Sequence, residues 1–302
     1  MLDVSHANRQ STKTTGTSTG TMRPARSFSP LPLSTTEFPM NLRLPWSHCL
    51  FPVVFAVVIL GLWYAVVLGF GIPTYLLPLP HEIVAATAAE RGALGIALAT
   101  TGRAALYGLV ISAGAGFLLA VVLALSARLR WALYPYVLLL QTVPVVILTP
   151  VLVLWLGPGL PSVTAVTFLI TFFPVTSNTV HGLLSTPHAM LDLFRVYDAG
   201  RLQEMLHLRI PYALPHYLSG LRIAASLAPI GAIAGEFFAG SSAEGRGGLG
   251  YLVIVYFSRH EIPALFATGL TACALGFTFV GAVAGLSRFA LRRWHDSARP
   301  RE

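Results

Sequence analysis

The chain alternates between long segments without charged side chains and short segments that carry them. Five stretches contain no Lys, Arg, Asp or Glu: Leu44–His81, Ala104–Ala127, Trp131–Leu191, Ile223–Gly235 and Ile262–Ser287. A membrane-spanning helix needs about 20 apolar residues, so this pattern predicts transmembrane helices, and the longest stretch must fold back once. The six predicted spans are about Leu50–Phe70, Leu98–Leu125, Trp131–Leu156, Ser162–Leu183, Tyr217–Phe238 and Pro263–Ser287.

Three prolines lie inside the third predicted span, at Pro135, Pro144 and Pro150. Proline removes a backbone donor and clashes with the preceding turn, so we expect this span to be kinked or broken. Neighbouring helices can satisfy the freed carbonyl groups within a membrane. The Gly- and Pro-rich residues 157–161 then predict a turn back into the membrane.

Composition supports an all-α membrane protein. Of the 302 residues, 55% are hydrophobic and 11% are charged, whereas about a quarter are charged in ordinary soluble domains. The net charge of +8 could suit nucleic acid, but the basic residues lie in loops beside the spans, so no nucleic acid partner is expected. Nearly all of them fall on one side of the predicted topology, which places both termini in the cytoplasm. The exceptions are Arg91, Arg246 and Arg259 in the opposite loops and Arg103 near the outer end of the second span.

Three regions follow from this pattern. Residues 1–45 are rich in Ser, Thr and Pro and predict a disordered cytoplasmic tail. Residues 46–290 form the predicted transmembrane domain, and residues 291–302 form a basic cytoplasmic tail.

The segment Asp192–Pro215 is a charged island between the fourth and fifth predicted spans. One interpretation is a solvated connector. However, the segment is long for a minimal turn, and it keeps apolar residues at helical spacing that an isolated surface helix would leave unused. We therefore favour a helix that docks into a groove of a cytoplasmic partner. These apolar residues are Leu202, Met205, Leu206 and Leu208.

This segment resembles the coupling loop of the inner-membrane permease subunits of binding-protein-dependent ABC importers. The family pattern starts with an acidic residue and two Ala, has Gly six residues after the acid, and ends on hydrophobic-x-hydrophobic-Pro. Here Asp198 stands at the Gly position, which is a departure from the pattern. We define the coupling loop as residues 184–216. The matching residues, which the resemblance implies to be ATPase-coupling residues, are Asp192, Leu193, Phe194, Asp198, Ala199, Gly200, Leu206, Leu208, Ile210 and Pro211.

The resemblance covers about residues 95–290. Leu140–Pro161 is similar to the Gln-x-x-Pro and Trp-x-Gly-x-Gly segment of the nitrate, sulfonate and taurine branch, and residues 213–240 and 247–252 resemble the same branch. Residues 219–236 are similar to permeases for thiamine pyrimidine precursors. The resemblance implies six transmembrane helices in the type I ABC importer architecture, a multi-pass protein of the bacterial inner membrane, and import of such a precursor, a sulfonate or taurine, or a nitrate-like anion.

The resemblance also implies the partners. These are cytoplasmic ATPase subunits that carry the ATP and Mg²⁺, a periplasmic or lipid-anchored substrate-binding protein, and a second permease subunit, expected to be a copy of this chain. The chain has no Walker A motif, because its single lysine is Lys13 in the tail. We therefore expect it to bind no cofactor and to catalyse no reaction itself.

Candidate chemistry inside the spans is sparse. Glu236 is the only acidic residue within a predicted span, and such groups are costly in a membrane. It could line a substrate pathway, or it could lie at the interface, satisfied by loop amides or by Arg246. Gln141 and Asn178 could contact a solute or hydrogen-bond between helices. The scattered histidines have no metal-binding spacing, so no metal site is expected.

Two other classes of protein remain as alternatives. An ion-coupled secondary transporter would need buried charges and internal repeats, and only Glu236 could serve as the coupling acid. An integral membrane enzyme would need titratable residues that converge near one membrane face, whereas here the charges concentrate in the coupling loop and the tails.

Overall fold

Helices make up nearly all of the described chain. The computed structural model describes residues 47–239 and 247–291, which contain eleven α-helices, one π-helical turn and no β-strand. The helices are α1 (Ser47–Gly69), α2 (Pro80–Ala89), α3 (Arg91–Leu125), α4 (Ala127–Thr142), α5 (Val145–Leu156), α6 (Leu160–Leu184), α7 (His188–Val196), α8 (Arg201–Glu204), α9 (Ile210–Ala239), α10 (Leu249–Ser258) and α11 (Ile262–Leu291), with the π-turn at Met205–Arg209 between α8 and α9.

The chain divides into two compact units, Met1–Phe51 and Pro52–Glu302. Only residues 47–51 of the first unit are described, and they form the first turns of α1. Every contact reported below lies within the second unit. The predicted tails, 1–45 and 291–302, fall almost entirely outside the described residues.

Four described segments are long and apolar enough to cross a membrane: Arg91–Leu125, Leu160–Leu184, Arg201–Ala239 and Ile262–Leu291. They correspond to the second, fourth, fifth and sixth predicted spans, and Arg201–Ala239 joins α8, the π-turn and α9 without a break. The all-α membrane class is therefore confirmed. The count of six spans and the cytoplasmic position of both termini stay predictions.

The third predicted span is broken into two helices. Helix α4 ends at Thr142 and α5 begins at Val145, with Val143 and Pro144 extended between them. The ring of Pro144 cannot continue the hydrogen-bonding pattern of α4, which accounts for the position of the break. The following turn needs glycine, since Gly157 and Gly159 have φ angles of 80° and 101°.

Helices α3, α6 and α9 form the centre of the fold, with α6 packed along both of the others. Glycine permits the closest approaches. A Cβ atom on Gly108 of α3 would lie 2.5 Å from the Thr167 side chain of α6, and one on Gly220 of α9 would lie 2.7 Å from the Pro174 carbonyl oxygen. Lipid provides little hydrophobic drive for helix association, so close packing of small residues holds these helices together.

Three buried threonines of α6 form hydrogen bonds within their own helix. Buried Thr167, Thr171 and Thr179 each donate to the carbonyl oxygen four residues earlier in their own helix. Ser112 of α3 also lies 2.6 Å from the Thr171 hydroxyl, which links α3 to α6. These threonines are paired, whereas the Thr164 hydroxyl of the same helix is buried without a hydrogen-bond partner among the described residues.

Candidate functional site

The coupling loop is a folded structure rather than an open connector. After α6 ends at Leu184, α7 runs from His188 to Val196, and the chain turns at Asp198 before α8 begins at Arg201. Leu191 is buried, while Asp192 and Arg195 form an exposed ion pair at 2.9 Å. An exposed pair contributes little stability, and Leu191 is the buried residue of α7.

Asp198 occupies a left-handed backbone conformation, with φ of 50°. Its amide donates to the Arg195 carbonyl at 3.0 Å, and the Ala199 amide donates to the Phe194 carbonyl at 3.0 Å. These two bonds form the Schellman ending of α7, in which Gly is the favoured residue at the left-handed position. The departure from the family pattern is therefore an Asp placed where the backbone favours Gly.

We expect Asp198→Gly to stabilise the protein by roughly 1 kcal/mol, because a side chain in the left-handed region is strained and Gly is not. Thermal unfolding of the purified full chain in lipid nanodiscs measures the change. Asp198→Ala is the matched control, since it keeps the Cβ atom and loses the short polar side chain, and it should be less stable than wild type. A Gly variant no more stable than the Ala variant would contradict this account of the turn.

The return segment of the loop is anchored to the transmembrane helices. Met205, at the start of the π-turn, is 2% exposed and packs in a cluster with Leu123 of α3 and Leu183 of α6. Arg209 donates to the Glu204 carboxylate at 2.6 Å and reaches the Leu183 carbonyl oxygen at 3.5 Å. The loop is therefore fixed to the end of α6 by packing and by a partly buried guanidinium.

An apolar surface on the coupling loop remains exposed. Leu206 is 52% exposed and Leu193 is 55% exposed. Exposed charged residues lie among them, including Asp192 and Arg201, so this surface faces water rather than lipid. We call it the docking surface; its members are Leu193, Val196, Tyr197, Leu202 and Leu206.

The other predicted coupling residues differ in their exposure. Phe194, Ala199, Leu208, Ile210 and Pro211 are partly buried. Ile210 packs against the cluster that contains Met205. Gly200 is exposed, and its amide donates to the Gln203 side chain at 2.9 Å, which starts α8.

Glu236 lies at the far end of α9 from the coupling loop and is 3% exposed. Its carboxylate accepts hydrogen bonds from the Thr101 hydroxyl of α3, at 2.8 and 3.0 Å, and from the Gly250 amide of α10, at 2.8 Å. A backbone amide does satisfy this carboxylate, but it belongs to the first turn of α10 and not to a loop. Arg246, the other partner considered for it, lies outside the described residues.

Sequence reasoning missed the residues that surround Glu236. Thr101 is fully buried, and its hydroxyl oxygen also accepts the Leu249 amide at 2.8 Å. Thr101 precedes Glu236 by 135 residues, so no local pattern pairs them. The only local signal was the run of glycines at 247, 248 and 250, which indicates a close approach of the backbone.

A second contact joins α10 to the start of α3. The Tyr256 hydroxyl donates to the Glu90 carboxylate at 2.9 Å. Burial and the neighbouring Glu90 carboxylate raise the pKa of Tyr256 to about 12. The hydroxyl therefore keeps its proton and remains a donor throughout the physiological pH range.

The three predicted pathway residues do not form one site. Gln141 is exposed at the end of α4. Asn178 of α6 is partly buried, donates to the Pro174 carbonyl at 2.8 Å, and faces Gly220 of α9. Glu236 lies sixteen residues further along α9 than Gly220, which is about 24 Å in an α-helix. Asn178 and Glu236 therefore occupy different depths.

Asn178 instead lines a cavity of about 520 Å³ between α4 and α6. Its lining includes Arg130, Tyr134 and Trp131, and because Trp131 is 78% exposed, the cavity is an open groove. The Tyr134 hydroxyl is 3.4 Å from the Ser177 hydroxyl. Flat aromatic surfaces beside polar groups suit a planar, hydrogen-bonding organic molecule.

Comparison of the sequence with known proteins gives three findings. The sequence pattern of the family described as "Binding-protein-dependent transport system inner membrane component" matches residues 112–299. The chain is 35% identical to the formylaminopyrimidine transport permease protein ThiX of Halalkalibacterium halodurans, over 80% of this chain and 94% of the relative. It is 36% identical to the riboflavin transport system permease protein RibX of Chloroflexus aurantiacus, over 57% of this chain and 63% of the relative.

The fold also matches a solved structure. A chain of the MetNI methionine ABC transporter in an inward-facing conformation superposes with a TM-score of 0.53, at 19% identity, over 66% of this chain and 94% of that one. At this identity, the match establishes a shared fold.

Proposed function

Because the chain belongs to the binding-protein-dependent transport system inner membrane components, the permease subunits of ABC importers, we propose that it forms the membrane pathway of an ATP-driven importer. ATP is hydrolysed by a separate cytoplasmic subunit that binds the coupling loop. The relatives are transport permeases rather than enzymes, which is consistent with a chain whose transport is driven by ATP hydrolysis in another subunit.

The docking surface is the observation that carries this proposal. Leu193, Leu202 and Leu206 are apolar, exposed and surrounded by charged residues. Such a surface on the water-facing side of a membrane protein favours a protein partner. The anchoring of Met205 and Arg209 beneath it provides a firm attachment through which closure of the ATPase could move α6 and α9.

The proposed assembly has two permease subunits, two ATPase subunits and an external binding protein. Each permease chain crosses the membrane six times, with α1 and the broken α4–α5 pair completing the four long spans. The excess of Arg on the side of the coupling loop supports the cytoplasmic position of both termini. The second permease subunit is proposed to be a copy of this chain.

The proposed solute is a small planar nitrogen heterocycle of the aminopyrimidine class. The relative ThiX is named for transport of a formylaminopyrimidine, and the relative RibX is named for transport of riboflavin, which also contains a planar nitrogen heterocycle. Trp131, Tyr134 and Asn178 supply stacking and hydrogen-bonding groups in one cavity. Sulfonates, taurine and nitrate are the competing solutes, and they lack a flat ring that could stack on the aromatic walls.

Reconstitution tests the function directly. The chain would be purified with the ATPase and binding protein encoded beside it and placed in proteoliposomes, and uptake of radiolabelled aminopyrimidine, taurine and nitrate would be compared. We expect ATP-dependent uptake of the heterocycle only when the binding protein is present. Uptake driven by an ion gradient without ATP would instead indicate a secondary transporter.

The cavity itself is tested by Asn178→Ala and Trp131→Ala. Loss of one stacking or hydrogen-bonding contact should raise the solute concentration for half-maximal uptake roughly tenfold, since such contacts contribute about 1–1.5 kcal/mol. Trp155 is an exposed tryptophan on α5 outside this cavity, so Trp155→Ala is the matched control. Unchanged uptake in both cavity variants would contradict the assignment.

A further inference from the structure

Two backbone amides at the start of α10 donate hydrogen bonds to side chains of other helices. The first amides of an α-helix have no partner within it. Here the Leu249 amide donates to Thr101 of α3, and the Gly250 amide donates to Glu236 of α9. We propose that Glu236 and Thr101 form a latch that fixes α10 to α3 and α9, and that Glu236 is a positioning residue for transport rather than a solute ligand.

The donors and acceptors of the latch match one another. The Thr101 hydroxyl has one proton, which it donates to the Glu236 carboxylate, and its oxygen accepts the Leu249 amide. Glu236 acts only as an acceptor, from Thr101 and from Gly250. The positive end of the α10 dipole also favours a carboxylate at this position. Each of these four groups therefore depends on the others.

The latch leaves no space for a solute at Glu236. Glu236, Thr101 and Leu249 are almost completely buried. A Cβ atom on Gly248 would overlap the Glu236 carboxylate, and one on Gly250 would lie 2.5 Å from the Ile233 carbonyl oxygen. The glycines thus bring the α10 backbone directly onto α9. A carboxylate enclosed in this way contacts protein atoms instead of a pathway.

The position of the latch would allow it to transmit movement of the coupling loop to α10. Helix α9 continues from the coupling loop without a break, and α10 packs against its far end. Helix α10 has 10 residues, about half of what a membrane span requires. With the latch closed, α10 follows α9 and α3 as one body when the coupling loop is displaced. This transport role rests on the proposed function, whereas the latch itself does not.

Hydrogen–deuterium exchange tests the latch in the purified full chain in lipid nanodiscs. Thr101→Val keeps the shape of the side chain and removes the hydroxyl, so the amides at 249 and 250 should exchange roughly tenfold faster. Thr101→Ser keeps the hydroxyl and should exchange like wild type. Thr100→Val is the matched control, because the Thr100 hydroxyl donates only to Ile96 of its own helix. Wild-type exchange in Thr101→Val would overturn the latch.

Coupling is tested in the complex with the ATPase and binding protein. The number of solute molecules imported per ATP should fall roughly fivefold or more in Thr101→Val, as expected for loss of a coupling between sites, and Thr101→Ser should restore it. Faster exchange with unchanged coupling would overturn the transport role. A wild-type complex without ATP-driven uptake would overturn the proposed function, and the exchange data would still decide whether the latch exists.

A second variant, Glu236→Gln, tests the latch if Thr101→Val does not fold. Glu236→Gln keeps an acceptor for the Gly250 amide but places an amide nitrogen against Thr101. We expect faster exchange at the start of α10 and weaker coupling in this variant as well. Lost uptake with wild-type exchange at these amides would instead assign Glu236 to the solute pathway and overturn the latch.

Discussion

A Leu206→Glu permease is expected to reach the membrane intact and to lose its ATPase subunit. Leu206 is 52% exposed, so a charge there costs the permease little stability. In a complex, the same side chain would be buried against the ATPase, and a charged residue at the centre of an interface costs about 2 kcal/mol or more. The affinity for the ATPase should therefore fall by roughly thirtyfold or more.

Co-purification of tagged permease with the ATPase measures this loss, and binding-protein-stimulated ATP hydrolysis should disappear with it. Ala127→Glu is the matched control. Ala127 is exposed at the first turn of α4, close in sequence to Leu123 of the cluster that anchors the coupling loop. It places the same charge at the same end of the molecule but outside the docking surface. Retention of a stable, active complex by Leu206→Glu would show that the ATPase binds elsewhere.

A Gly220→Val permease is expected not to accumulate in the membrane. A Cβ atom at Gly220 would lie 2.7 Å from the Pro174 carbonyl oxygen and 2.8 Å from the Asn178 Cβ atom. One of these neighbours is backbone, so the contact can be relieved only by separating α6 from α9. Overpacking of this kind costs about 1–3 kcal/mol in soluble cores, and more where the backbone cannot yield. Valine, with two further methyl groups, should reach or exceed the upper value.

Ser219→Val provides the control for this experiment, because it places the same side chain one residue earlier on the exposed face of α9. The Ser219 hydroxyl donates only to the Pro215 carbonyl of its own helix. Quantitative immunoblotting of membranes and thermal unfolding of the purified chains compare the two variants. Equal accumulation and stability would mean that α6 and α9 tolerate separation at this level.

The helices were predictable because their signal is local. Charge-free stretches marked the long helices, and three prolines predicted a kink or break in the third span, although only Pro144 interrupts the helix and Pro135 and Pro150 lie inside α4 and α5. The coupling loop was also visible, since its charged residues interrupt an apolar chain. Asp198 shows the limit of such reasoning: the pattern identified a position that favours Gly, and only the backbone geometry showed the reason, a left-handed turn.

Contacts between distant segments were not predictable. The partners of Glu236 come from α3 and α10. A single sequence contains no signal that pairs Thr101 with Glu236 or with the start of α10. Small residues were similarly ambiguous. A Cβ atom on Gly116 would lie 3.0 Å from the Thr176 side chain of α6, whereas Cβ atoms on Gly281 and Gly285 would meet no described atom within 4 Å. Spacing alone cannot distinguish a glycine inside the fold from one on its surface.

The π-turn at Met205–Arg209 determines how far α8, which carries Leu202 of the docking surface, is rotated about the helix axis relative to α9. A π-turn holds one residue more than an α-turn, and each residue of an α-helix turns the chain by about 100°. Removal of one residue here would leave both helices intact and rotate Leu202 by that angle relative to Ala213. In the proposed complex, one inserted residue would therefore set the angle at which the ATPase meets the permease, independently of the chemistry of the surface.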